Sequence, residues 1–239
     1  MEKVIYCLTN RSEADPEVWS KRLSEDLSPA LNLAGAHAVY VNVPDDAVAR
    51  AAALRIVTSQ APPDAVISVW VDSAVDQLRQ PFDELVAAQA SSVSAYLVTE
   101  SVPIPNTRFP DEPGERTEGF AQLAFIRKAT SLSGNEFLDV WLNSHTQIAI
   151  DTQDTFLYVQ NVVTRVLTPG ATPWDAIVEE GFPSDAMDDP NAFFDAIGDD
   201  DRLSRHQQEM FASVQRFIDL SAIDVIPTSR YPMSSLAQY

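Results

Sequence analysis

Cysteine, glycine, histidine and positive charge are all scarce in this chain. A single cysteine, Cys7, excludes an internal disulfide, and one thiol without neighbouring ligands makes no zinc site. Cys7 sits in an apolar strand pattern and reads as core packing. Only 7 glycines occur, and none forms the glycine-rich turn that cradles a phosphate; G-x-S-x-G and H-E-x-x-H are missing as well. The 3 histidines, His37, His145 and His206, are scattered, which argues against a metal site. Lys and Arg number 16 against 35 Asp and Glu, and the formal net charge of −19 repels nucleic acid and anionic membrane surfaces. No apolar run approaches the ~20 residues of a membrane helix, and MEKVIYCL enters a strand pattern without the layout of a secretion signal. The expectation is a soluble, cytoplasmic protein with neither nucleic acid nor membrane as partner.

What is present is a repeating order of elements in a chain that is 45% hydrophobic, enough for a sizeable core. Lys3 to Leu8 reads as a strand. Asp15-Pro16-Glu17 has the chemistry of a helix start, and Trp19, Leu23, Leu27 and Leu31 recur at helical spacing until Gly35. Strands at Ala38 to Val43 and Ala65 to Val71 flank a long connection with a short helical stretch, Ala47 to Ile56. A helix at Ser73 to Ala90 and a strand at Ser94 to Thr99 complete βαββαβ. Pro103 to Gly119 carries 4 prolines and no period, the composition of a linker.

The same order then returns: strand Ala121 to Ile126, helix Asn135 to Asp151, strands Phe156 to Arg165 and Ala176 to Gly181, a helical stretch Asn191 to Phe217, and strand Ile223 to Thr228. Asp199-Asp200-Asp201 lacks the alternating spacing of a calcium loop and reads as a solvated helix start. Four internal matches run in the same order: Trp19 with Phe137, Tyr40 with Tyr158, Asp64 with Asp175 and Thr99 with Thr228. The chain therefore reads as a tandem duplication, with residues 1-102 and 120-239 as halves and 103-119 between them. A βαββαβ unit folds as a ferredoxin-like sheet with both helices on one face, and two such sheets packed face to face cover each other. The expected class is α+β: two fused ferredoxin-like repeats forming an intramolecular α+β barrel.

The stretch Phe137 to Val163 carries the most chemistry. Phe137, Trp141, His145 and Ile148 share a helical face, so one imidazole sits in an apolar stripe. With its F-x-x-x-W-x-x-x-H, this half resembles the EthD-like family of dimeric α+β-barrel proteins. That resemblance implies a small hydrophobic or aromatic ligand and no cofactor. Its members are associated with breakdown of ethers and aromatics, or with cofactor-free dehydration, cyclisation or decarboxylation of polyketide-like compounds.

Comparing the halves singles out polar residues that the first half lacks. Leu27 stands at the place of His145, Val43 at that of Asn161 and Val69 at that of Glu180. The parity of Val39, Val41 and Val43, and of Ile67, Val69 and Val71, predicts that Asn161 and Glu180 face the helices while Glu179 points into the barrel. His145, Asn161 and Glu180 are then expected to converge on one pocket in the C-terminal half. Glu180 would fix the imidazole tautomer, His145 would move a proton near neutral pH, and Asn161 and the Tyr158 hydroxyl would hold a carbonyl or enolate oxygen. Trp141 and Phe137 would form an apolar wall, with Gln160 and Glu179 as further substrate contacts.

Each residue also has a purely structural reading: His145 as a hydrogen-bonded core residue, Glu180 as a solvated strand end, Asn161 as the partner of a bulge, Tyr158 as packing shared with Tyr40. Three functions stay open at this point: a cofactor-independent lyase or isomerase using His145, a non-catalytic binding or accessory protein, and a haem-binding barrel with His145 as axial ligand. A barrel closed within one chain also leaves a homodimer open.

Overall fold

The computed structural model describes residues 1–10 and 15–236. Strand β1 (Glu2–Thr9) leads to a helix in three pieces: α1 (Pro16–Arg22), a π-helical turn Leu23–Leu27, and α2 (Ser28–Leu33). The Asp15 carboxylate accepts from the Glu17 backbone N–H at 2.9 Å and starts α1, as an aspartate before proline should. Strands β2 (Ala38–Val43) and β3 (Ala65–Val71) flank a 3-10 helix, Asp46–Leu54, and α3 (Asp76–Ala87) precedes β4 (Ser92–Ile104).

The second half repeats this order. β5 (Phe120–Lys128) is followed by α4 (Gly134–Val140), a π-helical turn Trp141–His145 and α5 (Thr146–Thr152), with Ser133 and Glu136 closing a capping box. β6 (Leu157–Val166), β7 (Ala176–Phe182), a 3-10 turn Ser184–Met187, α6 (Pro190–Phe193), α7 (Asp200–Val214) and β8 (Ile218–Ser234) complete the chain. Asp199 caps α7 through the Arg202 N–H at 2.8 Å, and Asp200 and Asp201 lie in its first turn, where carboxylates favour the helix dipole.

The strands close into an antiparallel barrel in the order β1-β3-β2-β8-β5-β7-β6-β4. Each half contributes a ferredoxin-like set, 4-1-3-2 and 8-5-7-6, and the pairs β2/β8 and β4/β6 join them. Among the described residues no strand edge is left open, so the fold is an α+β barrel. Because side chains alternate along a strand, each strand has one face under the helices and one in the lumen. In the first half the helix layer is apolar: Val4, Val39, Val41, Ile67 and Val69 pack with Trp19, Leu23, Leu27 and Leu31.

The lumen has an apolar part, with Ile5, Tyr96, Phe125, Trp174, Ile177 and Ile226, and a charged part. There Lys3 lies 3.5 Å from Glu100 and 4.5 Å over the Trp70 ring, and Arg230 lies 3.2 Å from Glu179 and 4.4 Å over Tyr40. Of residues 103–119, expected as a linker, Pro103 and Ile104 instead continue β4, and residues 105–119 are laid along the barrel. Thr117 N–H donates to Arg230 O and Gly114 N–H to Pro232 O, both at 2.8 Å, and Asp111 accepts from the Arg230 guanidinium at 2.5 Å. Elsewhere the buried Asp224 accepts from the N–H groups of Thr58 and Ser59 at 2.8 and 2.9 Å, next to the bridge from Ile56 to Val225.

Candidate functional site

Three neighbouring strands place a polar group where the first half is apolar. In the first half Val69 pairs with Val4 and Val39, and Ile67 pairs with Val41. At the same registers in the second half Glu180 pairs with Gln122 and Tyr158, and Val178 with Gln160. Val4, Val39, Val41 and Val69 have thus become Gln122, Tyr158, Gln160 and Glu180, all on the face under the helices. Glu180 faces the helix layer, as its strand parity requires, and burial pushes its carboxyl up to about 7, opposed by a hydrogen bond from Gln122. The aromatic rings of Phe120, Phe182 and Phe193 stack beside it on the same face.

The helix above supplies the rest of this network. Trp141 Nε1–H donates to the Tyr158 hydroxyl at 3.3 Å, Gln160 Nε2 donates to Thr146 Oγ1 at 2.7 Å, and Thr146 Oγ1–H donates to the Trp141 carbonyl at 2.9 Å. That last bond exists because the π-helical turn opens the backbone at Trp141. Ser28 makes the same bond to Leu23 O in the first half, also at 2.9 Å. Burial, with the charge of Glu180, raises the Tyr158 phenol well above its usual range, so it remains a donor. Phe137 lies 5.5 Å from Trp141, ring to ring, and both are core.

His145 does not join this network. Its Nδ1 is 2.9 Å from Ser213 Oγ on α7, and its ring packs 4.8 Å from that of Phe217. Burial, reinforced by Arg216, drives its pKa down to about 4, so the ring is neutral at pH 7. The expected pairing of Glu180 with His145 is therefore replaced by two separate contacts: Glu180 with Gln122, His145 with Ser213.

Asn161 is also elsewhere. It lies on the lumen side of β6 and donates through Nδ2 to Ile177 O at 2.9 Å, while its Oδ1 is buried without a hydrogen-bond partner. The cause is a one-residue slip in matching Tyr40 to Tyr158: the register makes Val39 the counterpart of Tyr158 and Asn42 that of Asn161. Asn42 accordingly faces the lumen too, donating to Glu179 at 2.9 Å and to Thr228 Oγ1 at 3.3 Å. Glu179 points into the barrel as its parity predicts. Gln122 and Thr146 were not singled out from the sequence, yet Gln122 stands 118 positions after Val4, the spacing that relates Trp19 to Phe137.

A cavity of about 940 Å³ lies in the other half, between α1 and the ends of β2 and β8. None of the eight residues expected to form a site lines it. The surroundings of His145 do not fit an axial haem ligand either, since one nitrogen is held by Ser213 and the ring is packed on Phe217. Among the described residues, no helix is long and apolar enough to cross a membrane, and no cluster of three or more His, Cys, Asp or Glu could hold a metal ion.

No protein-family model matches the sequence, and the curated proteins give no match. Solved structures do. An "anthrone oxidase-like protein" superposes with a TM-score of 0.59 at 10% identity, covering 99% of this chain and 94% of that one. A Fusobacterium nucleatum protein described as a "Putative monooxygenase" gives 0.50 at 10% identity, covering 98% and 92%. At that identity the likeness is one of fold.

Proposed function

We propose that the chain is a cofactor-independent enzyme that moves a proton on a small phenolic or carbonyl-activated aromatic compound, with Glu180 as the proton acceptor. The observation that carries this reading is the exchange of Val4, Val39, Val41 and Val69 for Gln122, Tyr158, Gln160 and Glu180 at equivalent registers. Leaving an ionisable group under an apolar helix layer costs stability, and its use here is a carboxyl with a pKa of about 7, suited to acid and base work at neutral pH. The Tyr158 hydroxyl and the amides of Gln122 and Gln160 supply donors for a developing oxyanion, each worth about 3 kcal/mol when well aimed. His145, neutral and bound to Ser213, holds α7 against the π-helical turn.

Removing a proton from a carbonyl-activated carbon begins carbonyl-assisted dehydration and aldol-type cyclisation, and it is also the first step in oxidation of an anthrone, the substrate class named for one fold neighbour. The test is hydrogen-deuterium exchange at the acidic C–H of anthrone in D₂O, followed by NMR. The wild type is expected to accelerate exchange with a pH midpoint near 7, Glu180→Gln to lose the acceleration, and His145→Leu to keep it. Wild-type rates in Glu180→Gln would overturn the assignment. Saturable binding of aromatic compounds without any acceleration would favour the non-catalytic binding reading.

A further inference from the structure

The N-terminal half has its own cavity, and its origin is legible in the chain. The helix face of α4 and the turn after it carries Leu138 and Leu142, both packed into the second core. The equivalent positions in the first half are Ser20 and Ser24, which line the cavity of about 940 Å³. Two isobutyl groups are missing from one face, and the helix stands over open space. Trp19, Val43, Tyr231 and Met233 form the apolar part of the wall. The volume is at the upper end of the ~300–1,000 Å³ range usual for small-molecule sites.

The lining is strongly one-signed. Among the described residues of the lining, Glu17, Glu25, Asp45, Asp46 and Asp64 stand against one basic residue, Lys21, which itself lies 3.7 Å from Glu25. Asp45 is held firmly in the wall. Its Oδ2 accepts from the Tyr231 hydroxyl at 2.7 Å, and its Oδ1 accepts from the Ser229 hydroxyl at 2.6 Å and the Ala47 N–H at 3.1 Å. Asp64 accepts from the Asn10 N–H at 2.8 Å. An apolar wall with oriented carboxylates suits a ligand that has an apolar body and a positive end, and it repels a carboxylate of the same shape.

We propose that this cavity binds a small organic cation, an amine or quaternary ammonium on an aromatic or aliphatic body. The site is separate from Glu180 and does not depend on the proton-transfer reading. The test is calorimetric titration of the full chain with 2-naphthylmethylammonium and, as the matched anion, 2-naphthoate. The ammonium is expected to bind with a Kd below about 1 mM, and the naphthoate at least ~10-fold more weakly. Ser24→Leu and Ser20→Leu, which restore the bulk of the other half, should abolish binding; Asp45→Asn should weaken it about 10-fold, and Glu180→Gln should leave it unchanged. Circular dichroism establishes that each variant is folded. Equal affinity for the two probes, no heat with either up to about 5 mM, or undiminished binding to both folded leucine variants would overturn the assignment.

Discussion

Glu180 lies directly across from Gln122 on the neighbouring strand, at the register where the first half sets Val69 across from Val4. The two halves share a backbone plan and differ here in what fills the space under the helices. A valine pair contributes by burial alone, whereas the Glu180 and Gln122 pair leaves a group whose charge depends on pH inside an apolar layer. Stability and titration are therefore coupled at this point, and the coupling can be measured.

The folded pKa of Glu180, about 7, lies above its ordinary value, so the unfolded state releases this proton at lower pH than the folded one. The stability contributed by the protonated carboxyl is then full below the ordinary value and is lost as pH rises towards 7. Glu180→Gln removes that dependence. In urea unfolding the variant should gain about 2 kcal/mol on the wild type between pH 5.5 and 8. A difference that stays constant with pH would show that Glu180 ionises normally.

His145 predicts the opposite slope. Its folded pKa of about 4 lies below the ordinary 6.5, so the unfolded state takes up a proton first and stability is lost as pH falls from 6.5 towards 4. His145→Leu, the residue at the equivalent place in the first half, should gain about 2 kcal/mol relative to wild type on going from pH 7.5 to 5. Ser213 keeps a partner in Arg216 at 3.0 Å, so the fold should hold. Measurements stay above pH 5 because the isoelectric point is near 4.3. Failure of the two variants to diverge in opposite directions would refute both assignments of charge.

Arg230 ties the segment 105–119 to the lumen through Asp111 and pairs with Glu179 behind it. Arg230→Met takes the paired cation from the buried Glu179, leaving it the Asn42 amide, and should cost on the order of 3 kcal/mol in urea unfolding, whereas Asp111→Ala, at a more exposed partner, should cost about 1 kcal/mol. Equal costs would mean that the pair with Glu179 contributes nothing.

Gly119 joins that segment to β5 with φ +84°, and a Cβ there would lie 2.1 Å from the Phe182 carbonyl oxygen. Gly119→Ala combines a disfavoured backbone with a backbone clash and should destabilise by more than about 2 kcal/mol. Gly114→Ala, at the same φ but facing open space, should cost only the backbone term of about 1 kcal/mol. Thermal unfolding of the two variants separates crowding from conformation.

Much of the fold was legible because each element carries a local signal. The alternation of Ala38 to Val43 and Ala65 to Val71, and the proline after Asp15, place strands and a helix start wherever the chain goes. Two internal matches, Trp19 with Phe137 and Asp64 with Asp175, coincide with equivalent positions: the N–H of Asp64 bonds Leu8 O and that of Asp175 bonds Ile126 O, both at 2.8 Å. The other two are one residue out, since Val39 answers Tyr158 and Val98 answers Thr228. In a strand one residue reverses the face, so Asn161 moved from the helix side to the lumen while Glu180, correctly matched, did not.

The amino-acid sequence by itself determined the order of elements, the barrel class and the polar composition of the second half, because these follow from periodicity and residue type within short stretches. Tertiary structure alone decided the partners. Ser213 lies 68 residues from His145 and Arg230 lies 119 from Asp111, and no local pattern encodes such a pairing. It also decided where space remains, because the volume beside Ser20 and Ser24 depends on how far β8, more than 200 residues on, stands from α1. Side chains choose their strand face locally, but only closure of the barrel sets which of them meet.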